Sequence, residues 1–265
     1  MMFEDDRTTL PRAYVALPHD HLYEDREKDL AATIAWCLEQ AGGDARSVGI
    51  QTGHRHDLDE EPLLLDFVAA GAKVYPDFRG KLPALPSGPV LMYRPLETHL
   101  LAVETQRSSS AVAAFEIVGP DHYRRSVGTE GMVGCQPWIS AFKPIHLGGP
   151  EITRKEPILP DPVVAAAMDT FTDLINSSTG LSDSRDRSTV LDGLTRLRHA
   201  GHCFDPEDLL AGALARNWRG DAAAQIRDFA REINAGKAKR FTERFRSDIV
   251  ETWRSEASDS SVVEL

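Results

Sequence analysis

Between residues 13 and 118, short β-rich runs alternate with stretches whose apolar residues recur at helical spacing. A helix that connects two parallel strands must lay an apolar stripe on the sheet it crosses. Such alternation therefore predicts a mostly parallel sheet covered on both faces. Strands are expected at residues 13–17, 47–52, 73–75, 89–93 and 111–118. After the first, Leu30, Ile34, Cys37 and Leu38 share one helical face, and Gly42-Gly43 supplies the stop. After the second, Asp59 and Pro62 read as cap and first-turn residue of a helix with Leu63, Leu64, Phe67 and Val68 inside. The first 118 residues are thus expected to form a Rossmann-like α/β domain.

The pattern then changes twice. Residues 119–160 carry Gly128, Gly131, Gly134, Gly148 and Gly149 with little periodicity, and read as a loop-rich connection holding at most a short strand or helix. From Asp161 the spacing is helical throughout. Val164, Met168, Phe171 and Ile175 share one face, and Leu191, Leu194 and Leu197 another. Asp205-Pro206 is a strong helix start, and Asp221 reads as the cap of a helix with Ile226, Phe229, Ala230 and Ile233 inside. Phe241, Phe245, Ile249 and Trp253, four apart, predict a last helix. The whole reads as an α/β layer followed by a C-terminal helical bundle at 161–254 and a flexible tail at 255–265.

Composition narrows the setting. No apolar run approaches the roughly 20 residues needed to span a bilayer, so no membrane segment is expected. Residues 1–9 are acidic, unlike the basic opening of a secretory signal. Cys37, Cys135 and Cys203 form no CxxC pair. A reducing, cytoplasmic setting follows. The net charge of −11 argues against a surface made for nucleic acid. Residues 185–254 nevertheless carry 14 Lys and Arg against 11 Asp and Glu.

Two clusters carry candidate chemistry. His19-Asp20-His21 follows the first strand and His54-Arg55-His56-Asp57-Leu58-Asp59 follows the second. Ligands of open parallel sheets collect beyond the carboxyl ends of the strands, where these loops would face one crevice. His19, His21, His54, His56, Asp57 and Asp59 are the candidate ligands of a divalent metal cofactor, able to activate water or clamp a phosphate. The competing reading makes them solvated loop and cap residues. Glu116 interrupts an apolar strand and is the candidate catalytic carboxylate, against an ordinary place at a strand end. Arg55 and Trp138 are candidate ligand contacts, though a Trp in that setting is more often a core anchor. Neither a GxGxxG nor a Walker-type loop is present.

The second cluster is helical. Two helices joined by Asn217-Trp218-Arg219-Gly220 have the lengths of a helix-turn-helix, with Arg227, Arg231 and Lys239 as candidate phosphate contacts on DNA. Short-turn helix pairs are also the default of any bundle. Residues 99–116 (HLLAVETQRSSSAVAAFE), then Gln136-Pro137-Trp138-Ile139-Ser140-Ala141 and the helical stretch 190–240, resemble a group of uncharacterised actinobacterial proteins. The resemblance implies an α/β front and a helical back and brings no activity. The expected function is binding of a small polar or phosphorylated ligand above the first two strands, with metal-dependent hydrolysis or transfer. The alternative is a non-catalytic regulatory protein whose helices contact a protein partner, a second copy or DNA.

Overall fold

All five expected strands form, and they lie parallel in one sheet of a computed structural model that describes residues 7–17, 24–52, 56–59, 61–76, 85–117, 135–176, 179–237 and 240–262. They are β1 (Arg12–Ala16), β2 (Gly49–Thr52), β3 (Lys73–Pro76), β4 (Pro89–Tyr93) and β5 (Ala111–Ile117). The sheet does not finish near residue 118, however. A sixth strand, β6 (Ile145–Gly148), pairs with β1, giving the order β3-β2-β4-β5-β1-β6 with every neighbouring pair parallel. Four residues between Pro144 and Gly149 are too few to show a period in the sequence. β6 also ends a sheet edge with Ile145 exposed, so it lacks the unbroken apolar run of a central strand.

The chain divides into two compact units, Met1–Arg154 and Lys155–Leu265. In the first, helices α1 (Arg26–Gln40) and α3 (Pro62–Ala69) cover one sheet face, with the one-turn α2 (His56–Asp59) between them in sequence. The expected stripe of Leu30, Ile34, Cys37 and Leu38 packs there on Val15, Leu91 and Phe115. Helices α4 (Glu97–Gln106) and α5 (Gln136–Phe142) cover the other face, bringing Leu100, Val103, Trp138 and Ile139 onto Tyr14, Met92 and Val112. Every residue of β5 is buried, as two covered faces require. The cap of α3 is Glu61, and its side chain makes no cap bond, so Asp59 is not the cap. Asp59 instead ends α2 and is exposed.

The helices that follow β1 and β2 lie on one face, and those that follow β4 and β5 lie on the other. The crossover direction therefore reverses between β5 and β1, and again between β2 and β4. At the β2–β4 reversal the flanking connections part, β2 leaving toward β3 and β4 toward β5, and leave a crevice beyond the carboxyl ends of those strands. At β5–β1 the connections run towards each other on opposite faces.

The second unit holds α6 (Pro162–Leu174), α7 (Ser184–His199), α8 (Pro206–Ala215), α9 (Gly220–Asn234) and α10 (Ile249–Val262). The Asp161 carboxylate caps α6 by accepting from the Val163 and Val164 N–H groups, and Asp205 caps α8 through the Glu207 N–H. Asp221 does not cap α9, because Arg219 holds that place and Asp221 lies in the first turn. The last helix begins later than its four-residue spacing suggests. The buried Asp192 carboxylate accepts from the N–H groups of Arg244 and Phe245 at 2.7 and 2.8 Å, supplying bonds that an earlier helical turn would otherwise have made. Phe245 still packs edge-on against Trp253 and beside Phe171. At its other end α10 runs on to Val262, so most of the expected tail is helical.

Candidate anion site at the carboxyl edge of the sheet

Glu116 is an extra residue in β5. Val15 pairs with Phe115 and Ala16 with Ile117, which leaves Glu116 bulged out at the β5–β1 reversal. Its φ of +59° lies in the left-handed region, a cost of about 1–3 kcal/mol for a residue with a side chain. Arg94, immediately beyond β4, adopts the same region with φ +50°. At the carboxyl ends of two neighbouring strands thus stand strained, non-glycine residues whose side chains meet.

The Glu116 side chain is 1% exposed, yet both its oxygens are paired. One accepts from Nε of Arg26 in the first turn of α1, the other from Nε of Arg94 at 2.6 Å. Arg26 spends its remaining groups on Glu61 and on the Tyr93 hydroxyl, and that hydroxyl donates to Glu61 at 3.1 Å. Burial opposes the charge of Arg26, but its hydrogen bonds to Glu116 and Glu61 outweigh that and push its pKa up. Arg94 is shifted the same way, the Glu116 bond outweighing burial. Burial pushes the Tyr93 phenol up to about 12, so it remains a donor at neutral pH.

The network is closed below and open above. Arg94 is 48% exposed and held by Nε, and its two Nη groups have no hydrogen-bond partner among the described residues. Its guanidinium lies 5.2 Å from the centre of the Tyr93 ring. An arginine pinned this way offers an oxyanion two parallel N–H donors. Next to Tyr93 in register stands Thr52, the last residue of β2. Thr52 is fully buried and its hydroxyl has no hydrogen-bond partner among the described residues, nor has the Oε1 of Gln51 beside it.

A second bulge flanks β1 on its other side. Tyr14 pairs with His146 and Val15 with Gly148, which leaves Leu147 extra in β6. Beyond it the Gly149 N–H donates to the buried Asp29 carboxyl of α1 at 2.9 Å. A side chain at Gly148 would overlap that carboxyl, its Cβ falling 1.9 Å from Oδ2, and Gly149 has φ +71°. Glycine is required at 149, where the φ is left-handed and a Cβ would fall 2.1 Å from the Ala16 carbonyl oxygen; at 148 a side chain would have to displace the Asp29 carboxyl.

His19, His21, His54, Arg55 and Lys239 lie outside the described residues, and for His56 and Asp57 the backbone of α2 alone is described. Among the described residues no group of three or more His, Cys, Asp and Glu is placed to hold a metal ion. Between Glu61 and Glu116 the positive charge is the guanidinium of Arg26. Trp138 lies at the amino end of the sheet, 1% exposed, donating to Glu104 at 3.2 Å. In the helical unit Arg227 and Arg231 both pair with Glu207.

Arg26, Glu61, Tyr93, Arg94 and Thr52 escaped the sequence reading. Arg94 had a usable signal, a lone cation directly after the apolar run Pro89–Tyr93. Arg26 had none, because it stands among Glu24, Asp25, Glu27 and Lys28 and reads as a solvated helix start.

Residues 160–254 match the model of a domain of unknown function, DUF1889. The helical unit is therefore similar to an uncharacterised family, and the sheet with its Arg94 site lies outside the matched residues. No curated protein and no solved structure matches the chain.

Proposed function

We propose that the sheet unit binds a small phosphorylated ligand at the carboxyl ends of β4 and β2, with its anionic group on Arg94. The observation that carries this reading is the Arg94 guanidinium, fixed through Nε by a buried carboxylate, 48% exposed, and with neither Nη group bonded among the described residues. Its position at the β2–β4 crossover reversal, where such sheets take ligands, supports the same reading. Glu116 is a positioning residue in it. With both oxygens engaged by guanidinium groups, it anchors Arg94 in place.

Thermal unfolding in rising inorganic phosphate tests the reading. A ligand present at 100 times its Kd stabilises by about 2.7 kcal/mol. Wild-type protein is expected to show a Tm that rises with the logarithm of phosphate concentration above the Kd, and Arg94→Met to lose that rise whatever the Tm of its unliganded form. Equal rises in both proteins would overturn the reading. A metal-dependent hydrolase or transferase is the version that adds His19, His21, His54, His56, Asp57 and Asp59 as metal ligands. Elemental analysis of purified wild-type protein and of a His54→Ala, His56→Ala double variant tests that addition. The alternative of helices that contact DNA draws less support, because Glu207 already occupies Arg227 and Arg231.

A further inference from the structure

A buried hydroxyl without a hydrogen-bond partner costs stability, so its persistence in a folded core calls for a reason. Thr52 is such a group. Side chains two apart on a strand share a face, and Ile50 belongs to the core under α1 and α3, so Thr52 points to that face as well. Tyr93, its register partner on β4, is on the same face and carries the hydroxyl that meets Arg26 and Glu61. Thr52 thus stands one strand spacing, about 4.8 Å, from β4, which Arg94 directly follows.

Resting on the phosphate reading above, we infer that Thr52 is the specificity-determining contact of the site and that the ligand is a phosphate ester carrying a free hydroxyl. The ester's phosphate lies on Arg94 and its hydroxyl exchanges a hydrogen bond with Thr52. Thr52 and Arg94 stand on neighbouring strands one register step apart, which suits a short phosphorylated polyol. Threonine is nearly isosteric with valine, so a purely structural core position would be served at least as well by valine. Keeping the hydroxyl lowers the stability of the empty protein and improves recognition.

The test compares glycerol 3-phosphate with propyl phosphate, which share the anion and differ in their hydroxyls. Titration calorimetry on wild-type protein is expected to show a five- to tenfold preference for glycerol 3-phosphate, roughly the yield of one hydrogen bond. Thr52→Val is expected to raise the Tm of the empty protein and to erase the preference, whereas Thr52→Ser retains it. If wild-type and T52V bind both esters alike, the phosphate reading stands and the role of Thr52 is overturned. Should neither ester bind wild-type protein, both ideas fall together. A lower Tm for T52V would show that the hydroxyl has a structural partner, which also overturns the inference. Were T52V not to fold, a T52S protein without the preference would count equally against it.

Discussion

The two ends of the sheet use the same parts in opposite ways. At the amino end Glu104 is gripped by Arg12 through two bonds of 3.0 and 2.9 Å, with Arg7 close by and the Trp138 indole N–H on the same carboxylate. The Phe142 ring closes over Arg12, 3.6 Å from its guanidinium carbon, and all these charges are buried. At the carboxyl end Glu116 is also buried between two arginines, yet Arg26 is 28% exposed and Arg94 more so. Sealing a carboxylate on every side makes a lock. Leaving one guanidinium half in water makes a receptor, because the buried acid holds the cation still while its outer donors remain available.

The lock should break hardest. Removing one member of a fully buried ion pair strands the other, so Glu104→Gln is expected to lower stability by about 3–5 kcal/mol in chemical denaturation while phosphate affinity holds. Loss of affinity in E104Q would collapse the distinction between the two ends. Glu116→Gln should cost less, about 1–2 kcal/mol, since water screens its partners. The same change is expected to weaken phosphate binding at least tenfold in titration calorimetry, and unchanged affinity would remove Glu116 from any positioning role.

The smallest effect concerns Asp29, a third buried acid, whose carboxyl is pushed above the usual range by burial and eased back by the Gly149 N–H and by His146. A raised carboxyl is one the fold prefers protonated. Its stabilising contribution is present below the ordinary carboxylate range and fades as pH rises through the raised value. Asparagine can accept from Gly149 without ionising. The Tm of Asp29→Asn relative to wild type should therefore improve from pH 4 to pH 7, whereas a relative decline over that interval would mean that the ionised form is the one Gly149 holds.

Much of the architecture was legible because strands and helices advertise themselves by period. The stripe on α1 and the buried run of β5 were read from spacing alone. Glu116 was visible as a charge in an apolar run, and it is buried and paired. Its partners were hidden for a physical reason. Arg26, Glu61 and Arg94 are 90, 55 and 22 residues away along the chain, and meet Glu116 or Arg26 because the strand order interleaves them. β6 was missed because four residues carry no period, and the late start of α10 because Asp192 acts from 52 residues away.

The strand order has a consequence for how this sheet is made. Among the described strands β1 is synthesised first, but its neighbours are β5 and β6, the last two of them to emerge. Ala13 waits for Ala113, about 100 residues later. At roughly 5–20 residues per second, that is about 5–20 s with both edges of an apolar strand unsatisfied. The polypeptide is thus most exposed to misassembly while it is being translated, and a pause before β5 would prolong the exposure of β1 without altering a single contact in the finished protein.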